Sequence, residues 1–91
     1  MNMFENITKQ YIMKRRIVTM DKIKKILKEI RPDIDLECKT LANDGVLDSF
    51  DIVTLISELI AEFDVEINVE DIVPENFNSV EAIYNLVERL K

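Results

Sequence analysis

The stretch Asp44-Gly45-Val46-Leu47-Asp48-Ser49-Phe50-Asp51 holds the side chains of this chain best placed for chemistry. Ser49 stands where a polar loop meets an amphipathic run, with Asp48 immediately before it and Asp51 two residues after. The chain has no histidine and a single cysteine, Cys38, so neither a Ser-His-Asp nor a Cys-His nucleophile can be assembled. Asp48 and Asp51 form a carboxylate pair, but helix capping accounts for both, and nothing in the pattern would raise either pKa for acid-base work. The expectation is therefore a serine that is modified, in a protein that is not itself an enzyme. A helix N-terminus carries unpaired N–H groups and a partial positive charge, which favours a phosphate ester at that position. Gly45 and the loop before it supply exposed backbone through which a modifying enzyme can reach the hydroxyl.

The elements that must hold Ser49 follow from hydrophobic spacing. Ile23, Ile26, Leu27 and Ile30 predict a first helix over 20–30, ended by Pro32, which disfavours helical geometry at Arg31. From Pro32 to Leu47, sixteen residues, no helical period persists. This is a long loop pinned by Ile34, Leu36, Leu41, Val46 and Leu47, and loops of such length usually signal function or disorder. A second helix is predicted over 49–63, with Asp48 as N-cap and Asp51 completing a capping box. Its residues Ile52, Leu55, Ile56, Leu59 and Phe63 form the core stripe, at about 100° per residue. Val53 and Ile60 edge that stripe near Ser57 and Phe50, while Asp51, Glu58 and Glu62 lie on the opposite flank. Asn68 and Asp71 predict one or two turns near 69–73, closed by Pro74. Asn78 and Glu81 signal the N-cap of a last helix, on which Val80, Ile83, Tyr84, Val87 and Leu90 keep helical spacing. The fold class expected is all-α: a small four-helix bundle of three longer helices and one short third helix, with the long loop between the first two.

Ninety-one residues, 47% of them hydrophobic, suffice for one domain with one modest core. The lone Cys38 rules out a disulfide framework within the chain, and with no histidine the familiar zinc spacings are excluded. No apolar run approaches the roughly 20 residues of a membrane span, and no signal-peptide pattern opens the chain, so a cytoplasmic monomer is expected. The net charge of -6 is unevenly spread: residues 1–19 carry four cations against Glu5, leaving -9 for residues 20–91. An acidic surface around Ser49 repels nucleic acid and steers towards basic protein patches. Residues 1–19 read as an extension of uncertain structure ahead of the domain at 20–91. In it Phe4, Ile7 and Tyr11 could share a helical face, with Lys14, Arg15 and Arg16 beyond.

The eight residues around Ser49, with the helix after them, resemble the phosphopantetheine attachment site of acyl carrier proteins, whose core is Asp-Ser-Leu. Here it reads Asp48-Ser49-Phe50. The resemblance extends over 20–91 as an order of helical segments, and continues in Glu62-Phe63-Asp64-Val65-Glu66-Ile67 and Pro74-Glu75-Asn76-Phe77. It implies that a phosphopantetheinyl transferase attaches 4'-phosphopantetheine, derived from coenzyme A, to Ser49, with Asp48 part of that site. Cargo would then travel as a thioester between an adenylating ligase or acyltransferase and downstream acyl-processing enzymes. Phe50, Val53, Ser57 and Ile60 would be docking contacts, and Asp51 and Glu58 would meet basic residues on those enzymes. Fatty-acid carriers usually hold more acids along this helix, where this chain has Thr54, Ile60 and Ala61. The motif is closer to D-alanyl carriers and stand-alone aminoacyl or acyl carriers, and the cargo stays open.

Two other readings compete. A calcium-binding loop around Asn43-Asp44-Gly45 would place Thr40 and Ala42 at the first and third ligand positions and Asp51 at the twelfth, which is a poor ligand set. An unmodified acidic adaptor could instead bind a basic partner through the Val53 and Ile60 face.

Overall fold

The computed structural model describes residues 17–91 as three α-helices and two single-turn 3-10 segments, with no strand among the described residues. Helix α1 spans Met20–Ile30, α2 spans Ser49–Phe63 and α3 spans Val80–Leu90; the 3-10 turns are Val69–Asp71 and Pro74–Asn76. The spacing of Ile23, Ile26 and Leu27 puts all three in the core on one face of α1, which packs against both α2 and α3. From α2 come Leu55, Leu59 and Phe63, with Ile52 and Ile56 partly covered at the margin. Helix α3 adds Val80, Ile83, Leu86 and Val87. Full burial of an aliphatic side chain of this size is worth about 1.5–3 kcal/mol, so these interlocking stripes are what hold three short helices together.

Three helices, not four, form the α-helical framework. The segment expected as a short third helix over 69–73 is a single 3-10 turn, and Pro74, expected to close it, opens a second. Asn68 and Asp71 do start a turn, in which the Asp71 carboxylate accepts the Asn68 backbone N–H at 3.0 Å. The structure turns again at Val73, where Pro74 begins the second 3-10 segment, so neither piece reaches the length of an α-helix.

The long loop is not slack. Ile34, Leu41 and Leu47 are buried in the core, and Leu36 and Val46 are partly buried against it. Its backbone is held from the far side of the sequence by Asn78. The Asn78 carbonyl accepts the N–H of Leu41 at 2.9 Å, and its Oδ1 accepts those of Ala42 and Asn43 at 3.1 and 3.0 Å. That commitment corrects the capping expectation: the N-cap of α3 is Ser79, whose hydroxyl accepts the Ala82 N–H at 3.0 Å. Leu86, absent from the spacing of the last helix as read from sequence, is fully buried.

At its start the packed unit takes in two residues ahead of Met20. Val18 is buried, and the Thr19 hydroxyl caps α1 by accepting the Lys22 N–H. The helical face expected from Phe4, Ile7 and Tyr11, and the basic run at Lys14, Arg15 and Arg16, lie outside the described residues. No helix among the described residues is long and apolar enough to cross a membrane.

Candidate modification site

Ser49 is the first residue of α2, and the work of starting that helix falls to its neighbours. Asp48 Oδ1 accepts the Asp51 N–H at 2.9 Å, and Asp51 Oδ2 accepts the Asp48 N–H at 3.2 Å, the capping box that the Asp-x-x-Asp spacing predicts. The Ser49 side chain is exposed and, among the described residues, takes part in no hydrogen bond. Two turns of loop backbone bring the chain to this point. Asp44 N–H bonds Thr40 O at 2.8 Å, Gly45 N–H bonds Ala42 O at 3.2 Å, and the Thr40 hydroxyl donates to Asp44 Oδ2 at 2.6 Å. Gly45 adopts φ +73°, in the left-handed region, and its missing Cβ would meet nothing within 4 Å. Its role is thus backbone conformation and not close packing. Leu47, buried just before Asp48, fixes the approach from inside.

The site has a member that sequence spacing did not suggest. Arg31, the residue that ends α1, reaches across to the start of α2. Its Nε donates to Asp51 Oδ2 at 2.7 Å and its Nη2 to Asp48 Oδ2 at 3.4 Å. One guanidinium therefore answers both carboxylates that flank Ser49. Burial pushes the Asp51 carboxyl up, but the Arg31 hydrogen bond, the Asp48 N–H and the Arg31 charge outweigh it and hold Asp51 below its ordinary value. Arg31 is correspondingly raised by the hydrogen bond and charge of Asp51.

The sequence-predicted partner contacts divide in two. Phe50 and Val53 are 85% and 63% exposed and Ile60 is 40% exposed, with Ser57 exposed among them. They share one face of α2. Asp51 does not join them. Its side chain is only 16% exposed and its carboxylate is engaged by Arg31 and by the Asp48 backbone, so it is not displayed as Phe50 and Val53 are. Glu58 is exposed, but on the flank towards α1, where it borders a groove with Lys22, Lys25 and Glu62.

A cleft of about 530 Å³ lined by Met20, Lys24, Leu36, Cys38 and Val80 includes none of Asp48, Ser49 or Phe50. Among the described residues no group of three Cys, Asp or Glu side chains is placed to hold a metal ion, and the Asp44 carboxylate accepts the Thr40 hydroxyl. What the arrangement can do chemically is display one hydroxyl, unpaired and accessible, on a helix start locked by its neighbours.

Arg31 and Asn78 are the residues that sequence reasoning missed. Arg31 sits seventeen and twenty positions from its partners, beyond any local spacing rule. Asn78 looked like a cap because Glu81 follows it at capping-box spacing, whereas its carbonyl and Oδ1 are committed to the loop and Ser79 caps. Comparisons with protein-family models, with curated proteins and with solved structures find no match for this chain.

Proposed function

We propose that this protein is a carrier of the acyl carrier type, which accepts 4'-phosphopantetheine on Ser49 and presents an acyl or aminoacyl cargo to partner enzymes. The observation that carries the reading is Ser49 itself: exposed and unbonded at the first residue of α2, while Asp48 and Asp51 do the capping. In the attachment step the Ser49 Oγ bonds to the pantetheine-bearing phosphorus of coenzyme A. The pyrophosphate P–O bond breaks, adenosine bisphosphate leaves with the electron pair, and the hydroxyl proton passes to a base of the transferase. Magnesium and that base come from the transferase, since among the described residues no base is hydrogen-bonded to Ser49.

The residues present fit the group. Ser49 supplies the ester oxygen, the amide groups of the first turn favour a phosphate there, and the exposed position leaves a long arm unhindered. When attached, the group supplies a terminal thiol on which cargo is held as a thioester. The protein contributes presentation and recognition: α2 fixes the origin of the arm and Phe50, Val53, Ser57 and Ile60 form the surface beside it. In this reading the two 3-10 turns between Ile67 and Phe77 stand where the family's bundle has its short third helix. Thr54, Ile60 and Ala61 in place of further acids favour an amino or other carboxylic acid, loaded in the cytoplasm by an adenylating enzyme, over a fatty-acid synthase partner set.

A second reading has one observation of its own. The exposed Phe50, Val53 and Ile60 face would also serve an unmodified helical adaptor. Intact mass after incubation with coenzyme A, magnesium and a broad-specificity phosphopantetheinyl transferase separates the two. Addition of one phosphopantetheine to the wild type and none to Ser49→Ala is the carrier result; no addition to either is the adaptor result.

A further inference from the structure

We infer that Arg31 is a specificity-determining residue: by engaging the Asp51 carboxylate within the molecule, it removes that acid from partner recognition and leaves a largely uncharged, apolar surface on α2 to be read. The inference rests on the carrier reading and specifies the partner's chemistry.

Three observations carry it. The first is the clasp, 2.7 Å to Asp51 and 3.4 Å to Asp48, made by the C-cap residue of α1 and so contributed from outside α2. The second is the composition of the exposed side of α2. Phe50, Val53, Thr54, Ser57, Ile60 and Ala61 are all exposed and none carries a charge. The third is the position of the remaining acids of this helix. Glu58 and Glu62 border a groove lined also by Lys22, Lys25 and Glu29 of α1, so they lie on the flank towards α1. Although residues 20–91 carry a large negative charge, the exposed face of α2 beyond Ser49 is uncharged, and the half-exposed Asp48 is the acid left beside it.

An enzyme matched to that face needs an apolar pocket, and Phe50, with 85% of its surface exposed, is the natural anchor. It needs no arginine or lysine to neutralise Asp51, because Arg31 already does so. A partner that relied on a basic patch would have to displace Arg31 from a charge-assisted hydrogen bond of 2.7 Å. Charges at an interface rim act chiefly on association rate and its salt dependence, whereas buried aromatic anchors act at all ionic strengths. The two modes are therefore distinguishable by salt.

The test is the rate of phosphopantetheine addition by a broad-specificity transferase with coenzyme A and magnesium, followed by intact mass at low and high ionic strength. Wild type, Asp51→Asn, Phe50→Ala, Arg31→Gln and the double variant Arg31→Gln/Asp51→Asn are compared, with helix content monitored by circular dichroism. Asp51→Asn is expected within about twofold of wild type at high ionic strength, because Asp51 makes no partner contact and the charge it frees on Arg31 is screened there. Phe50→Ala is expected to lose about tenfold or more at both salt levels. Arg31→Gln exposes an extra negative charge and is expected to steepen the salt dependence, by about fivefold between the two conditions, with the double variant returning to the wild-type slope. A tenfold loss in folded Asp51→Asn would overturn the inference, as would an unchanged slope in Arg31→Gln or a slope that the double variant does not restore. If Arg31→Gln does not fold, Asp51→Asn and Phe50→Ala decide alone. No addition to the wild type would instead overturn the carrier reading, and the role of Arg31 with it.

Discussion

Ser49 and Ser79 both stand at the start of a helix, and their side chains have opposite fates. Ser79 is an N-cap: its hydroxyl is partly buried and accepts the Ala82 N–H at 3.0 Å, so it holds α3 in place and is not free for other chemistry. Ser49 lies one position further in, as the first helical residue, and the cap before it is an aspartate. Asp48 takes the capping role, Asp51 reciprocates, Arg31 clamps both, and the serine hydroxyl is left exposed. A shift of one residue relative to the helix boundary separates a structural serine from a displayed one. A further contrast lies just ahead of each. Asn78, before Ser79, binds three loop amides, and the same loop delivers Ser49, so the α3 end of the molecule stabilises the approach to the site at α2.

The most direct way to break this comparison is by exchange of function. Ser49→Ala is expected to abolish phosphopantetheine addition, and Ser79→Ala to leave it intact, as read by intact mass. Next in size is the loop anchor. Asn78→Ala strips the partner from two loop amides, one of them partly buried, and should cost about 1–3 kcal/mol in urea unfolding. Ser79→Ala removes a side-chain cap and should cost about 1 kcal/mol by the same measurement. The acid dependence sharpens the contrast further. Because Asp51 is held below its ordinary value in the folded state, it contributes stability above about pH 4, and this is lost as pH falls through the folded-state pKa. Asp51→Asn should flatten that part of the acid limb of a stability profile, whereas Ser79→Ala should leave its shape unchanged. Phe50→Ala should have the smallest effect on stability, within about 0.5 kcal/mol, since the ring makes no contribution to the core.

The local parts of this architecture were legible in the sequence. The bounds of α1 and α2, the Asp48 and Asp51 capping box and the core stripe of α2 follow from spacing within one helix turn, where local rules apply. Even the long loop declared its anchors, since Ile34, Leu41 and Leu47 are apolar residues in an otherwise polar stretch. What stayed hidden depends on residues distant in sequence. Arg31 reads only as the residue at which Pro32 ends the first helix, and only the packing of the start of α2 beside that end brings the two aspartates to it. Asp51 was read as a surface contact because a helical wheel gives direction but not the neighbour that occupies it. The segment before α3 failed for a different reason: Asn68, Asp71 and Pro74 each give a valid turn signal, and turn signals so close together do not decide between one short helix and two 3-10 turns.

The central claim is that Ser49, and no other serine, is the attachment residue. Ser57 and Ser79 are the other two serines of the chain, one exposed on α2 and one engaged as a cap. Fragmentation mass spectrometry of the protein after incubation with coenzyme A, magnesium and a phosphopantetheinyl transferase tests this at residue level. The account predicts a phosphopantetheine ester on the peptide carrying Asp48-Ser49-Phe50, localised to Ser49; an ester on Ser57 or Ser79, or no ester at all, would contradict it.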